Sequence, residues 1–222
     1  MIRPGPRRDV VHAEALAWLY DNPAAAGSSV VTSLPDVSET PHRFDEWKAW
    51  FVEAARRVIR WIPSSGAAIF FQTDVRHGGA WVDKGYLVAR AAEEENARLV
   101  WHKIICREPP GSVSYGRSSY SHMVCVAHAS QGAPKRPTAD VLASAGAMSW
   151  SKAMGVGACH VACRYLLDET ATRLVVDPFC GRGSVLAVAN ALGLDAIGID
   201  VSARRCSAAR KLVVELATLG VV

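Results

Sequence analysis

Residues 174–202 read LVVDPFCGRGSVLAVANALGLDAIGIDVS, from Leu174 to Ser202. Leu174, Val175 and Val176 are apolar at consecutive positions, as in a strand buried on both faces of a parallel sheet. The run stops at Asp177, which puts a carboxylate at the carboxyl end of a strand, where open α/β sheets take their ligands. Gly181 and Gly183 permit a tight turn and a close backbone approach that a Cβ would obstruct. Ser184 opens a helix to Leu192, and the unpaired N–H groups of its first turn favour an anionic group. A second strand, Ala196 to Asp200, ends in another acid able to accept both hydroxyls of a ribose. The stretch asks for a nucleoside that carries a carboxylate or a phosphate. Few residues of the sequence follow it, so the other strands of its sheet have to come from earlier in the chain.

Those strands can be read from the pattern. Asp9 to His12 is a short strand that runs into a helix from about Glu14 to Asp21, and SSVVTSLPD is a buried strand ending in a proline loop. Trp47, Trp50, Phe51, Ala54, Val58 and Ile62 recur at helical spacing, and Pro63 with Gly66 stops that helix. AAIFFQTD is the next strand, and AWVDKGYLVARAAEEENA from Ala80 is expected to be helical. RLVWHKIICREP and YSHMVCVAHA form a strand-loop-strand pair, an antiparallel edge. Residues 130–146 are small, polar and proline-containing, a surface excursion. GVGACHVACRYLLDE is a helix, and a final helix is expected from Ser202 to about Leu219. The alternation predicts an α/β class with a mostly parallel sheet covered on both faces.

The 222 residues suffice for one domain with a substantial core and are too few for two large ones. The formal net charge of +4 is compatible with a phosphate-rich partner without requiring one. The six cysteines have no disulfide spacing and no signal peptide before them, which predicts reduced thiols and an intracellular protein. Cys159 and Cys163 fall inside an apolar helical pattern with no second ligand pair, so they read as packing and no metal is expected. No apolar run approaches the roughly 20 residues of a membrane span.

The combination D-P-F-C-G-x-G-S at Asp177–Ser184 with G-I-D-V-S at Gly198–Ser202 resembles motifs I and II of S-adenosylmethionine-dependent methyltransferases. The form is that of the DNA and RNA amino-methyltransferases. A dehydrogenase fingerprint would need a third glycine, which Ser184-Val185-Leu186 does not supply. The late position of these motifs is similar to that of the permuted class, whose catalytic loop comes first and motif I last. VVHAEALAWL matches that class's opening strand and turn, with Ala13 and Glu14 where Gly and Asp are usual. VVTSLPD matches the catalytic strand and loop, and MSWSKAMGVGACHVACRYL occupies the place of the H-P-x-x-K-P segment, without the proline after Lys152.

The resemblance implies a circularly permuted, Rossmann-like, seven-stranded sheet, mostly parallel with one antiparallel strand, in a single domain over 1–222. Residues 1–128 would supply the third cofactor strand and the catalytic half, 129–150 the surface excursion, and 151–222 the cofactor half. The first strand would lie beside the one that ends in Asp200. The implied cofactor is S-adenosyl-L-methionine. Asp177, Gly181 and Gly183 would surround its methionine part, Asp200 its ribose, Val201 and Glu14 its adenine, and Lys152 its carboxylate end, with Phe179 and Ser184 as further cofactor contacts.

Ser33, Leu34, Pro35 and Asp36 would face the acceptor. In the family the first polar side chain of this loop and a main-chain carbonyl accept hydrogen bonds from a target amine and aim its lone pair at the sulfonium methyl. Asp36 replaces a stacking aromatic. It either removes a proton from a ring edge or a hydroxyl, which would suit guanine, uracil or a ribose, or it caps the loop or helps hold the cofactor. Asp74, Trp81, Tyr115 and Arg117 are candidate substrate contacts, with Trp81 and Tyr115 able to stack on bases.

DNA-acting members of the permuted class usually carry a recognition domain between the hairpin and motif I, and here that interval is roughly residues 129–150. The expected substrate is therefore RNA, a tRNA or rRNA base, ahead of DNA adenine N6 or cytosine N4. A non-catalytic, cofactor-binding subunit of a methyltransferase complex is the reading from another class. A homodimer or a partner subunit is left open, and no membrane partner is expected.

Overall fold

The computed structural model describes residues 5–128 and 134–215. In chain order the elements are β1 (Arg8–His12), α1 (Ala15–Asp21), β2 (Ser28–Thr32), a 3-10 turn (Val37–Glu39), α2 (Phe44–Trp61), β3 (Ala67–Gln72), β4 (Val75–His77), β5 (Ala80–Val82) and α3 (Lys84–Glu94). They continue with β6 (Arg98–Cys106), β7 (Tyr120–Ala127), β8 (Val141–Leu142), α4 (Val156–Glu169), β9 (Leu174–Asp177), α5 (Ser184–Ala191), β10 (Asp195–Asp200) and α6 (Ala203–Lys211). Eight strands form one sheet in the order β1-β10-β9-β2-β3-β7-β6-β8. The first strand does pair in parallel with the strand of the second acid, with His12 opposite Asp200. β10 pairs with β9, placing Gly198 opposite Asp177, and β9 pairs with β2, placing Val176 opposite Val30. The carboxyl ends of β1, β10, β9 and β2 therefore share one edge of the sheet. The catalytic loop leaves β2 at that edge, directly beside Asp177.

Both sheet faces are covered, which explains the unbroken apolar runs of β2, β3 and β9. One face packs Val31, Ile69, Ile105 and Met123 against α4, α5 and α6 through Cys159, Leu166, Leu186 and Cys206. The other packs Val30, Phe70, Val124 and Val176 against α1, α2 and α3 through Leu19, Trp47, Phe51, Ile59 and Val88. All six cysteines are buried and unpaired. Burial raises the thiols of Cys159 and Cys163, in keeping with their reading as packing residues.

Four local expectations are corrected. The helix expected from Ala80 begins only at Lys84, because β4 and β5 form a hairpin whose tip, Gly78-Gly79, takes two positive φ angles of 56° and 84°. Asp83 ends the hairpin and caps α3, accepting from the Tyr86 amide at 2.8 Å. The antiparallel strand is interior, not an edge: β7 lies between β3 and β6 and opposes both. The crossover through α3 carries β6 one strand position past β3, and β7 returns to fill the gap. An eighth strand, β8, arises in the expected surface excursion and extends β6 in parallel. The final helix stops at Lys211, where the Arg8 guanidinium takes the carbonyls of Ala209 and Leu212 at 3.0 and 2.5 Å. The end of that expected helix, 216–219, lies outside the described residues. Among the described residues no helix is long and apolar enough to cross a membrane.

Candidate active site

The shared strand edge opens into a cavity of about 620 Å³, lined by Glu14, Ser33, Leu34, Pro35, Glu39, Trp50, Lys152, Asp177, Phe179, Gly181, Ser184, Asp200 and Val201, among others. The glycine turn is held from both sides. The Cys180 amide donates to the Ile199 carbonyl at 2.9 Å, and the Gly181 amide donates to Asp200 Oδ2 at 3.1 Å. Asp200 Oδ1 accepts from the Ser202 amide at 2.7 Å, and Arg205 lies 3.7 Å from Oδ2. Each Asp200 oxygen thus keeps lone-pair capacity for a hydroxyl on the cavity side. The Ala13 amide joins the end of β1 to the Asp200 carbonyl at 3.2 Å, and Glu14 caps α1 by accepting from the Ala17 amide at 2.7 Å.

Asp177 is the most heavily perturbed acid of the site. Its Oδ1 accepts from the Thr32 hydroxyl at 2.7 Å and from the Phe179 amide at 3.2 Å. Burial nevertheless pushes its carboxyl up to about 7, with the Asp200 charge adding to the rise and the two hydrogen bonds opposing it. A cationic ligand in this cavity would favour the ionised carboxylate over the protonated form.

The two glycines serve the turn in a way the sequence did not indicate. Both have positive φ, 55° at Gly181 and 84° at Gly183. A Cβ on Gly181 would lie 2.9 Å from the Trp150 ring, and one on Gly183 would lie 2.8 Å from the Ala209 side chain. The closeness they permit is to a covering indole and to α6. The covering segment is fastened at three points: Ser149 Oγ to Ser184 Oγ at 2.6 Å, Trp150 on Gly181, and Lys152 Nζ to Glu39 Oε1 at 2.8 Å. Burial pushes the Glu39 carboxyl up, but the bonds from Lys152 and the Asp36 amide, with the Lys152 and Arg205 charges, hold it below the ordinary range. Trp150 and Thr32 escaped the sequence reading. Only Lys152, two positions after Trp150, carried a signal.

In the catalytic loop, Leu34 is buried in the core, and the Pro35 carbonyl accepts from Trp47 Nε1 at 3.1 Å. Asp36 does not face the cavity as a free base. Its carboxylate is ion-paired with Lys84 Nζ, a side chain only 3% exposed at the start of α3. Asp74 is likewise engaged: it accepts from the Lys84 amide at 2.9 Å and lies 3.1 Å from His122 Nε2 through both oxygens. With Asp83 these residues bring three donor atoms within 4.8 Å of one another, but His122 is already bonded on both nitrogens, to Asp74 and at 2.9 Å to His102. Trp81 stands half-exposed on β5 beneath Arg76, and Tyr115 and Arg117 lie exposed in the β6–β7 loop. The structure brings none of Asp74, Trp81, Tyr115 and Arg117 to the cavity wall.

This strand order, with β7 antiparallel to both of its neighbours, is that of a Rossmann-like methyltransferase fold. A family model described as DNA methylase, of the N6/N4 methyltransferase type, matches residues 167–211. Among solved structures, a Thermus thermophilus protein assigned as a DNA modification methylase superposes with a TM-score of 0.70, at 17% identity, over 93% of each chain. The same protein complexed with S-adenosyl-L-methionine gives 0.69 at 16% identity, over 92% of this chain and 93% of that one. The cytosine-N4-specific PvuII DNA methyltransferase gives 0.69 at 14% identity, over 94% of this chain and 88% of that one. No curated protein matches the chain.

These matches bear out the resemblance to S-adenosylmethionine-dependent amino-methyltransferases. They overturn the expectation of RNA as substrate and partner: the family model and the structures named above are of DNA methylases. The short 129–150 interval misled. The PvuII DNA methyltransferase is covered over 88% of its own length, so a compact chain without a large insert is no mark of RNA.

Proposed function

We propose that the protein transfers a methyl group from S-adenosyl-L-methionine to an exocyclic amine of a DNA base, adenine N6 or cytosine N4. The observation that carries this reading is the joining of two half-sites across adjacent strands: buried Asp177 and Asp200 around the glycine turn, and Ser33-Leu34-Pro35 leaving the neighbouring strand into the same cavity. The cofactor supplies a methyl group on a positively charged sulfur. Asp177 faces that charge, Asp200 accepts the ribose hydroxyls, Glu14 and Val201 flank the adenine, and Phe179 and Ser184 complete the wall. Lys152, oriented by Glu39, stands at the methionine end. The Ser33 hydroxyl and the Leu34 carbonyl accept the two amine N–H bonds and present the nitrogen lone pair for in-line attack. An exocyclic amine needs no base before attack, and this agrees with an Asp36 held by Lys84. The buried free thiols support an intracellular setting.

The test is methyl transfer from labelled cofactor to unmethylated genomic DNA, followed by digestion and nucleoside mass spectrometry. N6-methyldeoxyadenosine or N4-methyldeoxycytidine is expected. Cofactor binding without label in either nucleoside would overturn the proposal.

A further inference from the structure

A second cleft of about 450 Å³ adjoins the first and is lined by Trp150, Arg182, Ser202, Arg204, Arg205 and Ala208. Trp150 and Arg205 belong to the walls of both. Three guanidinium groups converge here. Arg182 and Arg205 lie over the Trp150 ring, at 5.4 and 5.7 Å from its centroid. Several other arginines are answered: Arg56, Arg57, Arg60, Arg90 and Arg164 pair with carboxylates, and Arg8 and Arg210 donate to backbone carbonyls. Among the described residues Arg182 and Arg204 have no carboxylate within 4.0 Å, and Arg205 reaches only Asp200 at 3.7 Å. Like charges gathered around one indole repel each other, and a bound anion removes that cost.

Arg182 is placed here by the turn itself. It lies between Gly181 and Gly183, whose two positive φ angles turn it outward, while Trp150 fills the space over Gly181. A planar guanidinium fork matches phosphate oxygens two at a time. We infer that this cleft binds a phosphate group, and that its source is the backbone of the DNA strand beside the target nucleotide. The inference rests on the proposed DNA substrate. It adds a phosphate contact on the cofactor side of the cavity, away from the Ser33–Asp36 loop, and so gives a chain without a large recognition insert a second hold on the duplex.

The test uses the full chain and Arg182→Gln/Arg204→Gln, with cofactor affinity measured first to show that both are folded and loaded. DNA affinity is then followed from 50 to 300 mM salt. Loss of one phosphate contact is expected to flatten the slope of log K against log salt by about 1 and to weaken binding about tenfold near 100 mM salt. Parallel slopes and equal affinities, with wild-type protein still methylating DNA, would overturn the site and leave the DNA reading intact. A wild-type protein that neither binds nor methylates DNA would remove the DNA reading. Titration with inorganic pyrophosphate, followed by NMR of the arginine Nε–H groups, separates the sources. Arg182 shifts in a protein that ignores DNA would assign the cleft to free phosphates and overturn the backbone as its occupant, and no shift would overturn the cleft altogether.

Discussion

The Thr32 hydroxyl donates to Oδ1 of Asp177 at 2.7 Å, binding the last residue of the catalytic strand to the acid of the glycine turn. The two half-sites are thus joined by a hydrogen bond to a carboxyl that burial holds near neutrality, at about 7. A cationic cofactor requires this group ionised, so protons compete with it. Affinity is expected to be flat above pH 8 and about tenfold weaker at pH 6, with nearly one proton taken up per site at pH 6, and almost none above pH 8, as the cofactor leaves. Thr32→Val removes a bond that lowers this carboxyl, so the midpoint of the profile moves to higher pH. Calorimetry in buffers of different ionisation enthalpy reads both the affinity and the proton count.

Stability follows the same group with the opposite benefit. Its folded value, about 7, lies above the ordinary 3.8, so the folded state holds a proton that the unfolded chain has lost. The contribution is therefore favourable at low pH, is lost as pH rises from about 4 to about 7, and leaves the full penalty above that. Asp177→Asn should stabilise the protein at pH 8 by up to about 4 kcal/mol, the rise of the carboxyl from 3.8 to about 7 being equivalent to about 1.4 kcal/mol for each tenfold step in proton affinity. Near pH 4 the variant and wild type should unfold alike. Cofactor affinity should fall at least tenfold. Urea unfolding at the two pH values checks the sign, and equal stability at pH 8 would contradict it.

How much of this was legible depended on whether local chain or distant contact set the outcome. The strand ends at Asp177 and Asp200 and the glycine turn followed from runs of apolar residues and motif spacing, and the pairing of the first strand with β10 followed from the resemblance to the permuted methyltransferases. The β4–β5 hairpin was hidden because Ala80, Trp81 and Val82 suit a helix as well as a strand, and only the Gly78-Gly79 tip and the Asp83 cap decide. Asp36 was ambiguous because its partner, Lys84, lies 48 positions away across the sheet edge. Trp150 was illegible as a cover for the turn because nothing in its own neighbourhood predicts a seat on Gly181. The substrate was misread because the length of one interval was taken to measure what the whole surface can hold.

Lys84 and Asp36 predict a separation between anchoring and chemistry. Lys84 is almost fully buried, whereas Asp36 keeps more than a third of its side chain exposed, so breaking the pair costs less than for two buried charges. Lys84→Met should destabilise the protein by about 1–3 kcal/mol and reduce methyl transfer at least tenfold, because it frees the loop that carries Ser33 and Leu34. Asp36→Asn keeps an acceptor for the ammonium and should retain transfer within about threefold. Single-turnover assays at saturating cofactor measure both. A loss of transfer in Asp36→Asn as large as in Lys84→Met, with the fold intact, would return Asp36 to the chemistry.

The bond from Lys152 to Glu39 joins the segment covering the glycine turn to the 3-10 turn that follows the catalytic loop. The ammonium is half-exposed and the carboxylate mostly covered, so the pair adds less than about 1 kcal/mol to folding. Its effect belongs to ligand binding. Lys152→Gln removes the charge proposed to face the methionine end and should weaken the cofactor about tenfold, mainly through faster release. Glu39→Gln removes only the group that orients this charge and should weaken it about threefold. Because the two act through one contact, the double variant should bind no worse than Lys152→Gln alone, a coupling that a thermodynamic cycle reads directly. Additive losses, or a drop in unfolding free energy that accounts for the lost affinity, would show that the pair holds the fold together and does not position Lys152.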